Sequence, residues 1–246
     1  MAFSNQELED YLLETRVTFE NVSTHTSFKA TILDFGYDEN RILEGVNKRV
    51  EAQRLFRLYI EKRQQKLGLK KKLDALFKAV YGEYSGHIQR LRKELILDEE
   101  ATEILVLNGP RDRTRSGFIE MSTNFYTTAI KDIDMFNKIQ RFGFTVEKLQ
   151  SGLDGVEAFA VMNSQYEKLK GECQRLVVER DEAFKDLRRW MAAFIATCRV
   201  AYKDNLQTLE EVGIFVLNRP RKKEKVDENE NQTNDAEAQT QTEEGQ

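Results

Sequence analysis

The amino-acid sequence predicts an all-α protein, an elongated antiparallel helical bundle or coiled coil made of two tandem long-helix repeats. Three observations support this prediction: the composition, the helical spacing of apolar residues, and two sequence landmarks that each occur twice. Of the 246 residues, 33% are charged and 40% are hydrophobic, and only 2 are proline. A thin helical bundle has much surface and a narrow core, and this composition suits it.

The first landmark, Phe35-Gly36-Tyr37, recurs in the second half of the chain as Phe142-Gly143-Phe144. The second landmark spans 105–111 and recurs at 215–221. Two landmarks in the same order and at nearly the same spacing favour duplication over chance. The predicted organisation is therefore a helical repeat unit at 1–107, a linker at 108–117, a second unit at 118–221 and an acidic tail at 222–246. The tail has almost no apolar residues, so we expect it to be disordered.

Each unit begins with a predicted helix, at about 5–33 in the first unit and 118–140 in the second, whose apolar positions step by threes and fours. The Phe-Gly-aromatic turn ends this helix, since glycine readily adopts the left-handed conformation that closes helices. Asp38 and Thr145 then suit the N-cap position of the following helix. A short acidic helix, at 98–103 and at 206–211, is predicted near the end of each unit.

The second helix of each unit is predicted to be unusually long. In the second unit a heptad seam, meaning a line of mostly apolar residues that steps alternately by three and four, predicts one helix from Thr145 to about Lys203. Phe184 and Met191 fall beside this seam. The alternative is a hairpin near Gly171. The seam consists of Phe159, Met162, Tyr166, Leu169, Cys173, Leu176, Arg180, Ala183, Leu187, Trp190, Phe194, Thr197 and Ala201.

The corresponding seam of the first unit is clear from Leu69 to Leu91 and blurs between Lys62 and Lys72, where Gly68 lies in a lysine-rich stretch. A kink is therefore expected at this point sooner than in the second unit. Whether the helix continues or folds back near Gly68 stays open at the level of sequence.

Charge and targeting signals narrow the classes of function. The net charge is −4, and the residues from 222 onward carry three lysines against eight acids, so the remaining chain is nearly neutral and gives no global indication of a nucleic-acid binder. The N-terminus lacks the features of a secretory signal, and no apolar run approaches the roughly 20 residues that span a bilayer. A cytoplasmic location is the resulting expectation.

The segment from Leu187 to Ile214 resembles the repeat ends of uncharacterised bacterial all-helical proteins, whose repeats finish in a Leu-Glu-x-Leu-Gly-Ile-like pattern. Here that pattern is Leu209-Glu210-Glu211-Val212-Gly213-Ile214. Between Leu91 and Ile104 of the first unit it is largely lost. The resemblance implies helical repeats, and it implies no chemical activity.

Motifs for catalysis or metal binding are weak in this sequence. The two histidines, His25 and His87, do not follow a glutamate by three residues, as a di-metal carboxylate bundle requires, and Glu83 with His87 is more simply a surface ion pair or a packed histidine. Cys173 lies on the seam and Cys198 beside it, about 37 Å apart on one helix, so the two cannot form a disulfide with each other. No catalytic, cofactor or metal site is predicted. The glycines at 45, 152 and 155 indicate close helix approach and not a phosphate loop.

Two groups of residues are candidates for binding. The first is a basic cluster that could contact phosphate, anionic lipid or nucleic acid, and whose alternative is a solvated helix face. It consists of Lys62, Arg63, Lys66, Lys70, Lys71 and Lys72. The second is an apolar group, Phe184, Trp190, Met191 and Phe194, which is interpreted mainly as core and alternatively as a partner surface. A further basic stretch at 219–225 precedes the acidic tail.

These observations predict a non-catalytic structural or adaptor protein that binds a protein partner, or a second copy of itself, through helical surfaces. No enzyme activity, small-molecule substrate or cofactor is expected. The alternatives are a membrane-active amphipathic helical protein and a weak nucleic-acid binder that acts through Lys62–Lys72.

Overall fold

The computed structural model describes residues 4–109, 112 and 114–214. Within these residues the chain is all-helical, with no β-strand, which confirms the predicted fold class at this level. The helices are α1 (Asn5–Thr24), α2 (Thr26–Leu33), α3 (Glu39–Glu94), α4 (Glu99–Ile104), α5 (Arg115–Lys131), α6 (Ile133–Gln140), α7 (Val146–Ala201) and α8 (Gln207–Glu211). The predicted tail at 222–246, the segment at 215–221 and the basic stretch at 219–225 lie outside the described residues.

The first predicted helix of each unit is in fact two helices, so the prediction of one continuous helix was wrong. His25 interrupts the first one in an extended conformation, and its side chain accepts a hydrogen bond from the backbone of Phe28. Asp132 interrupts the second one and accepts hydrogen bonds from the backbone of Asp134 and Met135. Side chains of this kind cap the N-terminus of a new helix, and they compete with continuation of the old one.

The long helices α3 and α7 are both uninterrupted and have 56 residues each, which corresponds to roughly 84 Å at 1.5 Å per residue. Asp38 and Thr145 cap their N-termini, as predicted. Gly68 and Gly171 lie inside these helices with open space around the position of a Cβ atom, and the chain folds back at neither. The continuous helix is therefore correct, and the hairpin alternative is wrong.

The two long helices pack against each other in antiparallel orientation along their whole length. Three contacts show this order. Gly45 lies against Trp190, Lys62 binds Glu172, and Val80 touches Gly155. As residue numbers increase in α3 they decrease in α7. The seam of each long helix is thus covered mainly by the other long helix.

Two hydrophobic cores lie at opposite ends of the α3–α7 pair. One core contains α1, α2, the N-terminal half of α3, the C-terminal half of α7 and α8. The other contains α5, α6, the N-terminal half of α7, the C-terminal half of α3 and α4. Each core therefore includes residues from both halves of the sequence. We call these the α1 end and the α5 end.

The buried side of α7 at the α1 end differs from the predicted seam. Phe184, Met191 and Cys198 are buried there, although the sequence placed them beside the seam. The seam predicted from a two-helix contact is narrow, whereas at this end a third helix, α1, covers a second line of side chains. A helix with two neighbours buries a wider stripe than a helix with one.

The two halves contain helices of similar length in the same order, and the offset in residue number between them is constant. The glycine turns at Gly36 and Gly143 have φ of 82° and 77°. The ends of the halves correspond at the same offset, since Val106 (φ 50°) and Gly213 (φ 80°) both adopt the left-handed conformation. The second sequence landmark paired 105–111 with 215–221, and its second copy lies outside the described residues.

No helix in the described part of the chain is both long enough and apolar enough to cross a membrane.

Candidate functional site

The short helices α1 and α5 cover the same face of α3. Phe56 lines a groove with Leu12 and Leu13 of α1, and the Phe77 ring lies 5.3 Å from that of Phe118 in α5. Phe56 and Phe77 are three heptads apart in α3, so they occupy the same position relative to the partner helix. We call this the front face of the long-helix pair.

Within the described residues, neither α1 nor α5 covers the stretch of the front face between their first turns. The guanidinium of Arg180 donates a 3.4 Å hydrogen bond to Asn5, where α1 begins, and also lies over the ring of Tyr59. Arg115, where α5 begins, lies 2.7 Å from Asp74 of α3. From Tyr59 to Asp74 the axial distance is roughly 22 Å. We call this stretch of the front face the waist. Among the described residues it is formed mainly by α3 and α7, with Asn5 and Glu9 of α1 beside Glu61 and Gln64 at one border.

The waist contains the basic cluster that the sequence identified, and the structure divides that cluster by face. Arg63 and Lys70 continue the heptad position of Phe56 and Phe77, so both lie on the front face, where they are exposed. Lys66 is half-buried at the seam beside them. Lys71 and Lys72 are also exposed. Lys72 continues the heptad position of Glu51, away from α1, whereas Lys71 continues that of Arg57, which lines the groove beside α1.

Lys62 has a structural role, because its ammonium lies 3.1 Å from the carboxylate of Glu172 across the seam. Within the described residues, the other five cations of the cluster form no salt bridge. The front face of α7 adds Lys170, which is paired with Glu167 at 2.9 Å. The waist thus presents a positive surface that is only partly neutralised.

Two Arg–Tyr pairs mark the borders of the waist. Arg180 lies 4.5 Å from the centre of the Tyr59 ring, and Arg115 lies 5.4 Å from the centre of the Tyr166 ring. Each arginine also binds an aspartate, Asp181 at 2.6 Å for the first and Asp74 at 2.7 Å for the second. Sequence reasoning did not find these borders, although both the tyrosines and the aspartates recur at the constant offset that relates the two halves.

Neither α1 nor α5 covers the opposite face of the pair, which we call the back face. At the α1 end a groove of about 510 Å³ lies between α3 and α7, and no residue of α1 lines it. Glu51 and Glu179 form its walls, and Leu55 and Ala183 form its floor. The heptad position of Glu51 continues along α3 with side chains that are all exposed or half-buried, namely Leu58, Gln65, Lys72 and Ala79.

A buried polar pair lies in the core at the α5 end. The Tyr126 hydroxyl and His87 Nδ1 are hydrogen-bonded at 3.0 Å, and the His87 ring meets Phe144 edge to face. Burial lowers the pKa of His87 to about 4, with smaller contributions from Lys148 and Arg90, and it raises the pKa of Tyr126. His87 is therefore a packed histidine, which was one of the two simple interpretations of the Glu83–His87 pair.

The other candidate catalytic or metal residues have structural surroundings. His25 caps α2 and lies 3.3 Å from Glu211. Cys173 and Cys198 are both free and buried, and burial raises the pKa of Cys198 to about 12, so its thiol is protonated at neutral pH. Among the described residues, no group of three or more histidine, cysteine or acidic side chains is arranged to hold a metal ion.

The apolar group of Phe184, Trp190, Met191 and Phe194 belongs to the core at the α1 end. Phe184, Met191 and Phe194 are buried, and Trp190 stacks on Phe194 with ring centres 5.2 Å apart. Trp190 also lies directly over Gly45, where a Cβ atom would come within 2.5 Å of the ring. The chain itself covers these side chains, as the core interpretation expects, so they do not form a free partner surface.

We compared the chain with family models, curated proteins and solved structures, and none of the three comparisons gives a match. The resemblance of the segment 187–214 to bacterial helical repeat proteins stays a prediction.

Proposed function

We propose that this protein is a non-catalytic interaction protein, and that the back face of its α3–α7 pair binds a helix of a protein partner or of a second copy. The observation that carries the proposal is that α1 and α5 both lie on the front face. Among the described residues neither of them covers the back face, where a groove lies between residues 44–55 of α3 and 179–186 of α7. A third helix lying along two others is a common packing arrangement of helical proteins.

The α5 end of the back face suits close helix packing. The positions equivalent to Glu51 and Asp186 of the acidic groove are Ala158 and Ala79, both exposed. Beside them, Leu76 and Met162 are partly buried. Small side chains let a helix approach closely, and the two larger apolar side chains offer surface to bury. The charged side chains at the α1 end would set the register and the choice of partner.

We further infer that the two halves arose by duplication. The support is the recurrence, at one offset in residue number, of similar helix lengths, caps and left-handed turns in both halves. A second support is an exchange of side chains. The α1 end has Arg180 in α7 and Leu8 in α1, whereas at the α5 end the equivalent positions hold Leu73 and Arg115. Each arginine still contacts the equivalent tyrosine and aspartate, although it comes from a different helix.

Site-specific photo-crosslinking in cells that produce the protein tests the proposed binding face. The photoreactive amino acid benzoylphenylalanine would replace Ala79 or Ala158 on the back face, and in matched controls it would replace the exposed Lys71 or Lys185. We expect discrete adducts of higher mass from the first pair only. Sedimentation of the purified protein over a range of concentrations then separates a self-adduct from a partner. Equal adducts from all four positions, or none, would contradict the proposal.

A further inference from the structure

We propose that the waist is a binding site for single-stranded nucleic acid, in which Arg63, Lys66 and Lys70 of α3 and Lys170 of α7 contact the phosphates. This site lies on the front face, so it is separate from the helix-binding face proposed above. It takes a different class of ligand.

The first argument is the arrangement of charge. From residue 62 to residue 72 the chain has six cations and no acid. Arg63, Lys66 and Lys70 are spaced by three and four residues, so they form one stripe along α3 that is roughly 10 Å long. These three side chains form no salt bridge within the described residues, and a phosphate would therefore not have to displace a carboxylate from them. Phosphate contacts of this kind supply most of the sequence-independent affinity for nucleic acid.

The second argument is a change of side chain along one heptad position. On the front face, that position of α3 carries Phe56, Arg63, Lys70 and Phe77. The phenylalanines lie where α1 and α5 cover the helix, and the cations lie where neither does. The preceding residue of that heptad position, Arg49, lines the groove with α1 and is half-buried. The exposed cations of this position are therefore Arg63 and Lys70, and they lie between the parts of α3 that the short helices cover.

The third argument is shape. The waist is bordered by α1 and α5, each about 10 Å in diameter, across a gap of roughly 22 Å. A flat bilayer that rests on the two short helices would stay about one helix diameter above the cations, whereas a single strand can enter the gap. Arg115 and Tyr166, both half-buried, stand at the α5 border, and bases stack on both aromatic rings and guanidinium planes. At the α1 border Arg180 is buried against Tyr59 and offers no stacking plane, whereas the Tyr59 ring is half-buried. Charge and shape together favour a thin polyanion with planar groups.

Fluorescence anisotropy with the purified full chain and a labelled 20-nucleotide oligothymidylate tests the proposal. With four phosphate contacts and a slope of about −0.7 per contact, the affinity should fall about 50-fold between 50 and 200 mM salt. An affinity that does not change with salt, or no binding at 50 mM salt, would overturn the proposal.

A matched pair of variants tests the location. Arg63→Glu with Lys70→Glu reverses the front-face charge. The control, Lys72→Glu with Lys168→Glu, makes the same change of charge on the back face, because these two lysines continue the heptad positions of Glu51 and Glu182 in the back-face groove. We expect the first variant to lose at least about tenfold in affinity and the second less than about threefold. Equal losses would show a diffuse electrostatic effect and overturn the site. If the first variant unfolds by circular dichroism, Arg63→Gln with Lys70→Gln replaces it.

Further arms of the same experiment distinguish the ligand class. Vesicles that contain phosphatidylserine, a 20-base-pair duplex and inorganic phosphate are each measured with the wild-type protein and with both variants. Weaker binding to all three than to the oligothymidylate supports the single-strand assignment. Tighter binding to the vesicles or to the duplex, lost on substitution of Arg63 and Lys70, would overturn it.

Discussion

Acidification is expected to destabilise the α5 end of the protein through one side chain, His87. This imidazole is buried, and the Tyr126 hydroxyl donates a hydrogen bond to its Nδ1 when that nitrogen is unprotonated. Burial holds its pKa at about 4, against 6.5 for an exposed histidine. The unfolded chain therefore binds a proton more readily than the folded protein, and the stability that the neutral imidazole contributes above pH 6.5 is lost as the pH falls from 6.5 to 4.

The size of the effect follows from this difference in pKa. The difference between 6.5 and about 4 corresponds to about 3 kcal/mol once His87 is fully protonated in both states, and to about 2 kcal/mol between pH 7 and pH 5. Carboxyl groups with lowered pKa, such as Glu7 and Asp98, affect the free energy of unfolding at lower pH. The stability that they contribute is lost as the pH falls through and below their unfolded pKa values of 4.5 and 3.8. The loss between pH 7 and pH 5 thus belongs mainly to His87.

Urea denaturation at pH 7, 6 and 5, followed by circular dichroism, measures this loss. The equivalent positions in the other half hold Phe194 and Phe19, so a variant with His87→Phe and Tyr126→Phe copies a pattern that the fold already contains. We expect its free energy of unfolding to change little from pH 7 to pH 5, while Tyr126→Phe alone keeps the pH dependence. If the double variant loses as much stability as the wild-type protein, the assignment to His87 is refuted.

Two further predictions concern packing and the relation between the halves. Gly45→Ala should lower the free energy of unfolding by about 2 kcal/mol, because its new methyl group would meet the Trp190 ring. Gly68→Ala should be neutral or stabilising by up to about 1 kcal/mol, since the space around it is open. Thermal melts compare the two variants, and equal melting temperatures would contradict this prediction. A chain split between residues 109 and 112 should reassemble when both pieces are co-expressed, because each core includes residues from both halves. In affinity purification, a tag on one piece should retain the other piece. Two separately folded pieces would refute the shared cores.

Several elements could be predicted from the sequence because their signals are local. The N-caps at Asp38 and Thr145, the glycine turns and the uninterrupted long helices each depend on side chains within a few residues or on a repeating pattern. The breaks at His25 and Asp132 were missed, since a single capping side chain inside an apolar helical pattern gives no strong signal. The second landmark stays a prediction, since its copy at 215–221 lies outside the described residues.

The candidate site was predicted only in part. The basic cluster at 62–72 was visible as a run of charge, but the run alone does not tell which of its cations share a face that is open to solvent. Lys62 binds Glu172, while Arg63 and Lys70 lie on the uncovered front face. Arg115, at the α5 border of the waist, lies in α5, whereas its partner Asp74 lies in α3. Only the tertiary structure brings the two side chains together.

The sequence by itself determined that this protein is helical, that two helices are very long, and where those helices begin, because caps, turns and heptad spacing act over a few residues. The tertiary structure decided which surfaces are covered. The long helices pair in antiparallel orientation, and each short helix buries one end of their front face, which makes Phe184 and Met191 core residues. Within the described residues, the same arrangement leaves most of the waist and the back-face groove uncovered by α1 and α5. Burial depends on contacts between distant parts of the chain, and a pattern within one helix does not specify how many neighbours that helix will have.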